Sequence, residues 1–385
     1  MHEDVRGCAT IADVRAAADA AFQPSDHVRI GAEVEWLVYR RDDLTSPVTA
    51  DETASTAAGE LPAGGVITIE PGGQLEVSTR PFDSPDLLID AIATDAATLV
   101  ERFARRELVL VNLGYDPIRP PTRTLDVARY IEMDRYFRAR SPAGVQMMNA
   151  TASLQLNIDF GSDPEKTWRC AHSIAPILLA AFANSPTADG RTFSTASRRQ
   201  LVWEATDPCR TAFAPSDPNA WVDYVLDAQV MTRHGRAQVD DLTMRAWLAS
   251  NDLPTLVEVD FHATTLFPPL RPRGFLELRM IDAVPPLGRT AAIGTVWALL
   301  TDEAAGALAA AAVAPHRGLW ERSLEYGIGH PQVATTTSDC LSIAADALEL
   351  RHPDVADGCR AWSSSLTPAA AASADAVVTG MIEPA

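Results

Sequence analysis

The sequence predicts an α+β fold in which helices cover one face of a mainly antiparallel sheet. Segments with the two-residue alternation of strands are interspersed with helix-like segments. The connections between strands are either hairpin-like or long, which favours antiparallel pairing. From residue 290 to the end, the patterns are helical only. Neither an internal repeat nor an interdomain linker is evident, so we expect one domain over 1–385, with a helical C-terminal portion over 290–385.

The first part of the chain contains the predicted hairpin. Alanine-rich segments with helical spacing predict helices, and alternating β-branched residues predict strands. Ser84 as a cap, followed by Pro85, marks the start of a helix. Gly72 and Gly73 are expected to supply the positive φ of the hairpin turn. The segment over 41–63 carries few large apolar side chains, which predicts a flexible loop. The predicted elements are a helix over 10–22, a strand over 28–39, the loop over 41–63, strands over 66–70 and 74–79, a helix over 85–106 and a strand over 107–113.

The second part contains two further strands and most of the helices. A segment over 114–148 is rich in Pro, Arg and Tyr and is predicted to be irregular. The most apolar stretch is mostly alanine and is interrupted by Asp302 and Glu303, which indicates a packed helix rather than a membrane span. The predicted elements are a strand over 151–160, helices over 164–182 and 218–232, a strand over 275–281, and helices over 290–313, 317–326, 338–350 and 367–381.

Composition excludes several classes of function. The formal net charge of −19 argues against a binder of nucleic acid or of anionic membranes. The single lysine, Lys166, is not in a glycine-rich turn, which argues against a P-loop nucleotide site. Five scattered cysteines without a Cys-x-x-Cys pair indicate a reduced, intracellular protein. The N-terminus has early acidic residues and no apolar core of a signal peptide, so we expect a cytoplasmic location.

Strand alternation places a set of polar side chains on shared faces, because residues i and i+2 point to the same side of a sheet. One interpretation is that each strand has an ordinary solvated face. The set as a whole is rich in carboxylates and amides, which favours a cavity instead. The residues sharing faces are Glu33 and Glu35; Gln74, Glu76 and Ser78; Thr151, Ser153, Gln155, Asn157 and Asp159; and Glu277 and Arg279 together with Phe275 and Ile281.

Carboxylates gathered in one cavity repel each other unless cations neutralise them. The set contains oxygen ligands and no His or Cys cluster, which predicts Mg²⁺ or Mn²⁺. Magnesium held by a few carboxylates usually also holds substrate phosphates. Glu277 with Arg279 two residues later fits this chemistry, since one can bind metal while the other meets a transferring phosphoryl group.

Four motifs resemble the plant-type glutamate–cysteine ligases, which belong to the glutamine-synthetase-like ATP-dependent carboxylate–amine ligases. The similarity is greatest to the actinobacterial branch that serves ergothioneine synthesis, and it extends from about residue 28 to 330. The second motif is the most specific of the four. The motifs are Gly31-x-Glu33-x-Glu35, Thr68-Ile-Glu-Pro-Gly-Gly-Gln-Leu-Glu-Val-Ser78, Met147-Met148 leading to Gln155-x-Asn157, and Leu276-Glu-Leu-Arg279.

The resemblance implies a strongly curved antiparallel sheet that forms an open funnel with two or three Mg²⁺ at its base. It implies that ATP phosphorylates the γ-carboxylate of L-glutamate and that the amine of L-cysteine then attacks, giving γ-glutamylcysteine. Gln155 and Asn157 would lie near metal or nucleotide, and Arg279 would stabilise the transferred phosphoryl group. The implied partners are small molecules, and the chain is expected to be a monomer or small homo-oligomer. The implied metal ligands are Glu33, Glu35, Glu70, Glu76 and Glu277.

The substrate-binding arginines are less closely defined. The segment over 197–210 resembles a family stretch in which Arg199 and Arg210 are candidates for substrate carboxylates. Plant members carry an arginine where this chain has Ala150, so glutamate would be held differently here. Three arginines of the segment over 114–148 are alternatives, or are ordinary surface residues: Arg123, Arg129 and Arg138. Two other functions remain open, a ligase that uses a different amine and a non-catalytic cation-binding protein of the same fold.

Overall fold

The computed structural model describes residues 8–185, 187–188, 191–192, 196–367 and 373–384. Residues 1–7, part of the segment on which the predicted absence of a signal peptide depends, lie outside this range. So do residues 368–372 of the helix predicted over 367–381. The strands are β1 Ile30–Arg40, β2 Val66–Ile69, β3 Leu75–Ser78, β4 Leu108–Val111, β5 Ser153–Ile158, β6 Thr187–Ala188, β7 Arg191–Thr192, β8 Thr232–Arg233, β9 Arg236–Ala237, β10 Leu270–Pro272 and β11 Leu276–Asp282.

One antiparallel sheet of seven strands organises the described part of the molecule. Its strand order is β10-β11-β5-β1-β3-β2, and β4 pairs with the C-terminal half of β1. Strand β1 is the centre of the sheet, because it pairs with β5, β3 and β4. The predicted antiparallel α+β class is therefore confirmed. The long central strand brings distant chain segments to one surface.

Helices cover the face opposite the polar side chains. On that face, the side chains of Leu154, Leu156 and Ile158 are almost fully buried, and helix α6 packs against β11. Burial of each such side chain stabilises the folded state by roughly 1.5–3 kcal/mol. The helices are α1 Ile11–Ala20, α2 Ala50–Ala57, α3 Pro85–Ala104, α4 Ala128–Arg140, α5 Pro142–Ala150, α6 Pro164–Ala181, α7 Arg198–Glu204, α8 Pro208–Thr211, α9 Trp221–Asp227, α10 Met244–Leu248, α11 Leu256–Thr264, α12 Pro286–Thr301, α13 Glu303–Val313, α14 Leu319–Tyr326, α15 Pro331–Leu348, α16 Pro353–Ser365 and α17 Ala374–Gly380.

The segment over 114–148 is not irregular as predicted, since helices α4 and α5 occupy much of it. Ser141 caps α5 by accepting a hydrogen bond from the backbone N–H of Ala143. Tyr136 and Phe137 of α4 are fully buried in a cluster that also contains Met147 and Met148. The many arginines of this segment conceal the helical period, because only a narrow stripe of each helix is apolar.

The segment predicted as a loop over 41–63 contains helix α2. Thr49 caps this helix by accepting a hydrogen bond from the backbone N–H of Glu52. The Glu52 side chain forms an ion pair with Arg40 at 2.7 Å, and Thr53 and Ala57 are buried. Small residues pack α2 here, so the lack of large apolar side chains is a poor guide to its structure.

The hairpin between β2 and β3 is confirmed, but its two glycines have different roles. Gly73 has a φ of +91°, as the prediction requires. Gly72 does not have a positive φ. A Cβ atom at Gly72 would lie 2.2 Å from the backbone oxygen of Asn149, so this glycine allows the hairpin to approach helix α5.

A β-bulge in β11 changes which residue reaches the polar face. Glu277 pairs with Asn157 as the alternation predicts, but the register shifts between Leu278 and Ile281. Ile281 therefore pairs with Leu154 on the apolar face, and the prediction that it shares a face with Glu277 is wrong. Asp282 takes its place on the polar face because the extra residue of the bulge reverses the alternation.

The apolar stretch over 290–313 forms two helices rather than the one predicted. Helices α12 and α13 meet at an angle of 101° around Asp302, which caps α13. Among the described residues, no individual helix has both the length and the apolar composition to cross a bilayer. Helices α12 and α13 meet both conditions only when the bent pair is counted as one segment.

Candidate active site

The polar face of the sheet lines a cavity of about 360 Å³. Its walls have opposite charge. One wall carries four carboxylates from β1 and the β2–β3 hairpin, and the other carries five guanidinium groups from helices and from the β10–β11 region. The carboxylates are Glu33, Glu35, Glu70 and Glu76, and the guanidinium groups belong to Arg129, Arg199, Arg271, Arg273 and Arg279.

Sheet register brings the four carboxylates together. Glu35 pairs with Glu76 across β1 and β3, and Glu33 pairs with Gln155 across β1 and β5. Glu35 accepts hydrogen bonds from the backbone N–H of Ser153 at 2.7 Å and from the Gln155 amide at 3.2 Å. The structure thus places Glu33, Glu35, Glu70 and Glu76 in one cavity, as their predicted role requires.

The four carboxylates disfavour each other's ionisation. Burial raises the pKa of Glu33 and Glu35, and burial together with the charge of Glu76 raises the pKa of Glu70 well above its ordinary value. Burial and the charge of Glu35 raise the pKa of Glu76 to about 7. A cation in the cavity would reverse these shifts, because it favours the charged form of each carboxylate.

The donor chemistry of this wall fits a hard divalent cation, since its side chains offer carboxylate and amide oxygens. The described residues do not, however, contain a group of three or more His, Cys, Asp or Glu side chains already arranged around one metal position. Metal binding by Glu33, Glu35, Glu70 and Glu76 therefore stays a prediction, and it requires these side chains to converge.

Glu277 differs from the other carboxylates because arginines surround it. Arg271 donates two hydrogen bonds to it, and Arg279 and Arg273 each lie 3.3 Å from one of its oxygens. Burial raises the pKa of Glu277, but the charges of Arg271 and Arg279 outweigh burial and lower it to about 2. Glu277 is fully buried behind the cavity wall. Its predicted metal binding would require an exchange of these ion pairs.

Arg279 links Glu277 to the cavity. Its guanidinium lines the cavity and donates a hydrogen bond to the side-chain oxygen of Gln155. The Nε atom of Arg279 is buried without a hydrogen-bond partner among the described residues. Asn157 lies behind Glu33 and donates to it at 3.4 Å, so of the two predicted amides only Gln155 lines the cavity.

The two arginines predicted to bind substrate carboxylates have different surroundings. Arg199 lines the cavity, and its Nε and Nη1 atoms are buried without hydrogen-bond partners in the described part of the chain. Arg210 is fully buried outside the cavity lining. Both of its Nη atoms donate hydrogen bonds within the protein, to Thr265, Tyr136 and the backbone oxygen of Gln229. The structure thus does not bring Arg210 to the cavity, and its predicted contact with a substrate carboxylate would require these hydrogen bonds to exchange.

Of the three candidate arginines of the segment over 114–148, one lines the cavity. Arg129 of α4 lines the cavity, whereas Arg123 pairs with Asp126 and Arg138 pairs with Asp134. Arg129 has no ion-pair partner among the described residues and donates only to Thr264, at 3.3 Å to its hydroxyl. Burial and the charge of Arg271 lower the pKa of Arg129.

An apolar wall of the cavity was largely missed from the sequence. It combines side chains from helices α4, α5 and α7 with one from the segment before β10. Met147 and Met148 belong to a family motif, but the sequence did not indicate an apolar wall, because helical residues so far apart in the chain show no common local pattern. The apolar residues are Met133, Met147, Met148, Trp203 and Phe267.

Comparison with known proteins decides the family. Residues 29–377 match the model of glutamate-cysteine ligase family 2 (GCS2). The chain belongs to this family. The predicted family resemblance is thereby confirmed, and the match includes every strand of the main sheet.

Relatives within the family include bacterial and plant proteins. The chain is 36% identical over 371 residues to glutamate–cysteine ligase EgtA of Mycolicibacterium smegmatis, covering 88% of this chain and 86% of the relative. It is 29% identical over 257 residues to the chloroplastic glutamate–cysteine ligase of Medicago truncatula, covering 62% of this chain and 50% of that protein. The similarity to the plant protein is thus confined to about half of its length.

Solved structures show the same fold. The Francisella tularensis glutamate–cysteine ligase in complex with AMP superposes with a TM-score of 0.52 at 12% identity, covering 89% of this chain and 82% of that one. A bifunctional glutathione synthetase from Pasteurella multocida gives 0.51 at 14% identity, covering 97% of this chain and 51% of that one. These likenesses support the predicted α+β fold.

Proposed function

We propose that the protein joins L-glutamate to L-cysteine in an ATP-dependent reaction that gives γ-glutamylcysteine, ADP and phosphate. The observation that carries the proposal is the cavity with carboxylates on one wall and guanidinium groups on the other. Two of these, Arg199 and Arg279, have buried N–H groups without hydrogen-bond partners among the described residues. Family membership and the relatives named glutamate–cysteine ligase support the same reaction.

A carboxylate does not react with an amine, so the γ-carboxylate of glutamate must first carry a phosphate leaving group. Phosphoryl transfer spreads negative charge over the phosphoryl oxygens, and catalysis consists mainly of positioning and of charge stabilisation. We assign this role to Arg279, which lines the cavity and whose buried Nε has no hydrogen-bond partner among the described residues. No nucleophilic side chain is required.

Glu33, Glu35, Glu70 and Glu76 would hold two or three Mg²⁺ ions, with Glu277 as a further ligand after its ion pairs exchange. Bound magnesium would supply positive charge for the ATP phosphates. Gln155 orients this wall by bridging Glu35 and Arg279. Mn²⁺ has the same preference for oxygen ligands.

Glutamate also presents an α-carboxylate, which guanidinium groups bind well. We assign this contact to Arg199 and Arg129, whose guanidinium groups line the cavity without close carboxylate partners. Ala150 is buried and cannot contribute. The methionine and aromatic wall is the apolar surface available to the cysteine side chain, because sulfur makes favourable contacts with aromatic rings and methionine adapts to irregular surfaces.

The test measures ADP release with glutamate and each of a panel of amines, in the presence of Mg²⁺. Release that requires both glutamate and cysteine is expected. Release with glutamate and a different amine would instead identify a related ligase. Metal binding without turnover of any amine would leave a non-catalytic cation-binding protein of the same fold.

The similarity to proteins named EgtA supports a role in supplying γ-glutamylcysteine for ergothioneine synthesis. A cytoplasmic location is consistent with the ATP and the reduced thiol that the proposed reaction consumes. The expectation of a monomer or small homo-oligomer stays a prediction.

A further inference from the structure

Asp282 forms a buried anchor beside the candidate active site. The bulge in β11 turns its side chain to the polar face, opposite Ser153, where it is fully buried. Its Oδ2 accepts hydrogen bonds from the backbone N–H of Asn184 at 2.8 Å and from the Ser185 hydroxyl at 2.7 Å. Its Oδ1 accepts one from the Ser197 hydroxyl at 2.7 Å.

These contacts fix the start of helix α7. Ser197 is the cap of α7, and its hydroxyl also accepts from the backbone N–H of Gln200. The Ser185 hydroxyl accepts from the backbone N–H of Arg199 at 3.1 Å. Asp282 therefore connects strand β11 to the first turn of the helix that carries Arg199 into the cavity.

The backbone at Gly114 packs closely against the carboxylate of Asp282. A Cβ atom at Gly114 would lie 2.4 Å from the Cγ atom of Asp282. This contact explains why position 114 is a glycine.

Arg199 faces the anchor without a direct hydrogen bond to it. Its Nη1 lies 4.0 Å from Oδ1 of Asp282, which is within range for charge attraction but beyond a hydrogen bond. Its Nε and Nη1 are buried without hydrogen-bond partners among the described residues. A buried guanidinium with unused donors is costly, so a group that accepts from it is expected in the cavity.

Arg210 provides an internal comparison. This equally buried arginine lies 3.4 Å from Asp207, and both of its Nη atoms are occupied by protein oxygens. Of the Arg210 donors only Nε lacks a hydrogen-bond partner among the described residues, whereas Arg199 lacks one at both Nε and Nη1.

We propose that Asp282 is a positioning residue that holds Arg199 at the cavity wall by charge while leaving its donors free for the carboxylate of the amino-acid substrate. This inference rests on the proposed function, because it assigns a task to a residue behind the same site. Asp282 itself touches neither substrate nor reacting atoms. Its hydrogen bonds are all taken up by the protein.

A double-mutant cycle separates positioning from a merely structural role. The variants are Asp282→Asn, Arg199→Gln and the pair together, and Asp207→Asn is the matched control at the Arg210 pair. Asp282→Asn should raise the KM for glutamate by about tenfold or more with a much smaller change in kcat, because the substrate contact is lost rather than the chemistry. When Arg199→Gln is already present, adding Asp282→Asn should change the KM for glutamate by less than about twofold.

The control variant should lower thermal stability without changing the KM for glutamate. An equal KM penalty from Asp282→Asn in both backgrounds, or a loss of stability with KM unchanged, would overturn the proposal. If Asp282→Asn does not fold, the double variant should fold, because removing Arg199 also removes the uncompensated buried charge. Failure of both to fold would show that Asp282 serves only the fold, and the proposal would be wrong.

A readout without activity keeps this test distinct from the test of the proposed function. If the wild-type protein releases no ADP with glutamate and any amine, the proposed function has failed. The crystal structure of Asp282→Asn then decides the positioning role. A guanidinium of Arg199 that has moved away from the cavity wall supports it, and an unmoved guanidinium overturns it.

Discussion

Arg271 binds Glu277 through two hydrogen bonds, Nε to Oε2 at 2.5 Å and Nη2 to Oε1 at 2.9 Å, behind the wall of the candidate active site. The two residues pair across β10 and β11, so the sheet itself sets this contact. The bidentate geometry places a guanidinium where the sequence predicts a metal. A divalent cation that reaches Glu277 must therefore compete with Arg271.

The Arg271–Glu277 pair should contribute strongly to stability. Arg271→Leu is expected to lower the free energy of unfolding by about 2–4 kcal/mol, because it leaves a buried carboxylate with fewer partners. Chemical denaturation measures this loss. Arg273→Leu is the matched control, since its side chain is 45% exposed and 3.3 Å from Glu277. It should cost less than about 1 kcal/mol, and equal losses in the two variants would contradict the assignment.

The carboxylate wall should be essential for turnover but not for folding. Glu35→Gln should lower the rate of ADP release at least about 10²-fold, because it removes a charge that the proposed mechanism needs. Its thermal stability should be unchanged or higher, since a repulsive buried charge is gone. Glu33→Gln and Glu277→Gln should also abolish turnover. Glu52→Gln on the surface is the control and should keep full activity; full activity in all three site variants would disprove the site.

The metal-free protein should lose stability as pH rises towards 7. The pKa of Glu76 is about 7 in the folded chain and 4.5 ordinarily, so the folded state binds this proton more tightly. Its contribution is present below pH 4.5 and is lost as pH rises through 7. In metal-free buffer, Glu76→Gln should raise the Tm at pH 7.5 by roughly 2–4 °C and have little effect near pH 4.5.

Magnesium should counteract this loss. Because cations bind deprotonated carboxylates, Mg²⁺ should raise the Tm of the wild-type protein more at pH 7.5 than at pH 5. Thermal melts with and without Mg²⁺ at the two pH values measure the difference. An equal effect at both values, or an equal effect on Glu76→Gln, would argue against these carboxylates as metal ligands.

Arg129 should affect glutamate binding more than the chemical step. Arg129→Ala is expected to raise the KM for glutamate by about tenfold with a smaller effect on kcat, because it removes a contact to the substrate carboxylate. Arg138→Ala is the matched control on the same helix, since Arg138 is exposed and pairs with Asp134. Equal behaviour of the two variants would show that Arg129 is an ordinary surface arginine.

The local part of the site could be predicted because strand alternation is a property of neighbouring residues. Glu33 with Glu35, and Gln74 with Glu76, were placed on shared faces from spacing alone. The alternation failed at Ile281, where the bulge transfers the polar face to Asp282. An inserted residue in a strand leaves no mark in the local pattern of apolar side chains, so the sequence did not reveal this exchange.

By itself, the sequence determined the strands, the hairpin, the shared faces of Glu33 with Glu35 and of Gln74 with Glu76, and the family motifs. Each of these depends on residues within a few positions of one another, so backbone geometry and side-chain period define them locally. Only the tertiary structure decided that Arg129 reaches the cavity, that Arg210 does not, and that Arg271 forms an ion pair with Glu277. These are contacts between distant segments. They depend on how helices α4 and α7 pack against the sheet, and therefore on burial and charge pairing that no local period records.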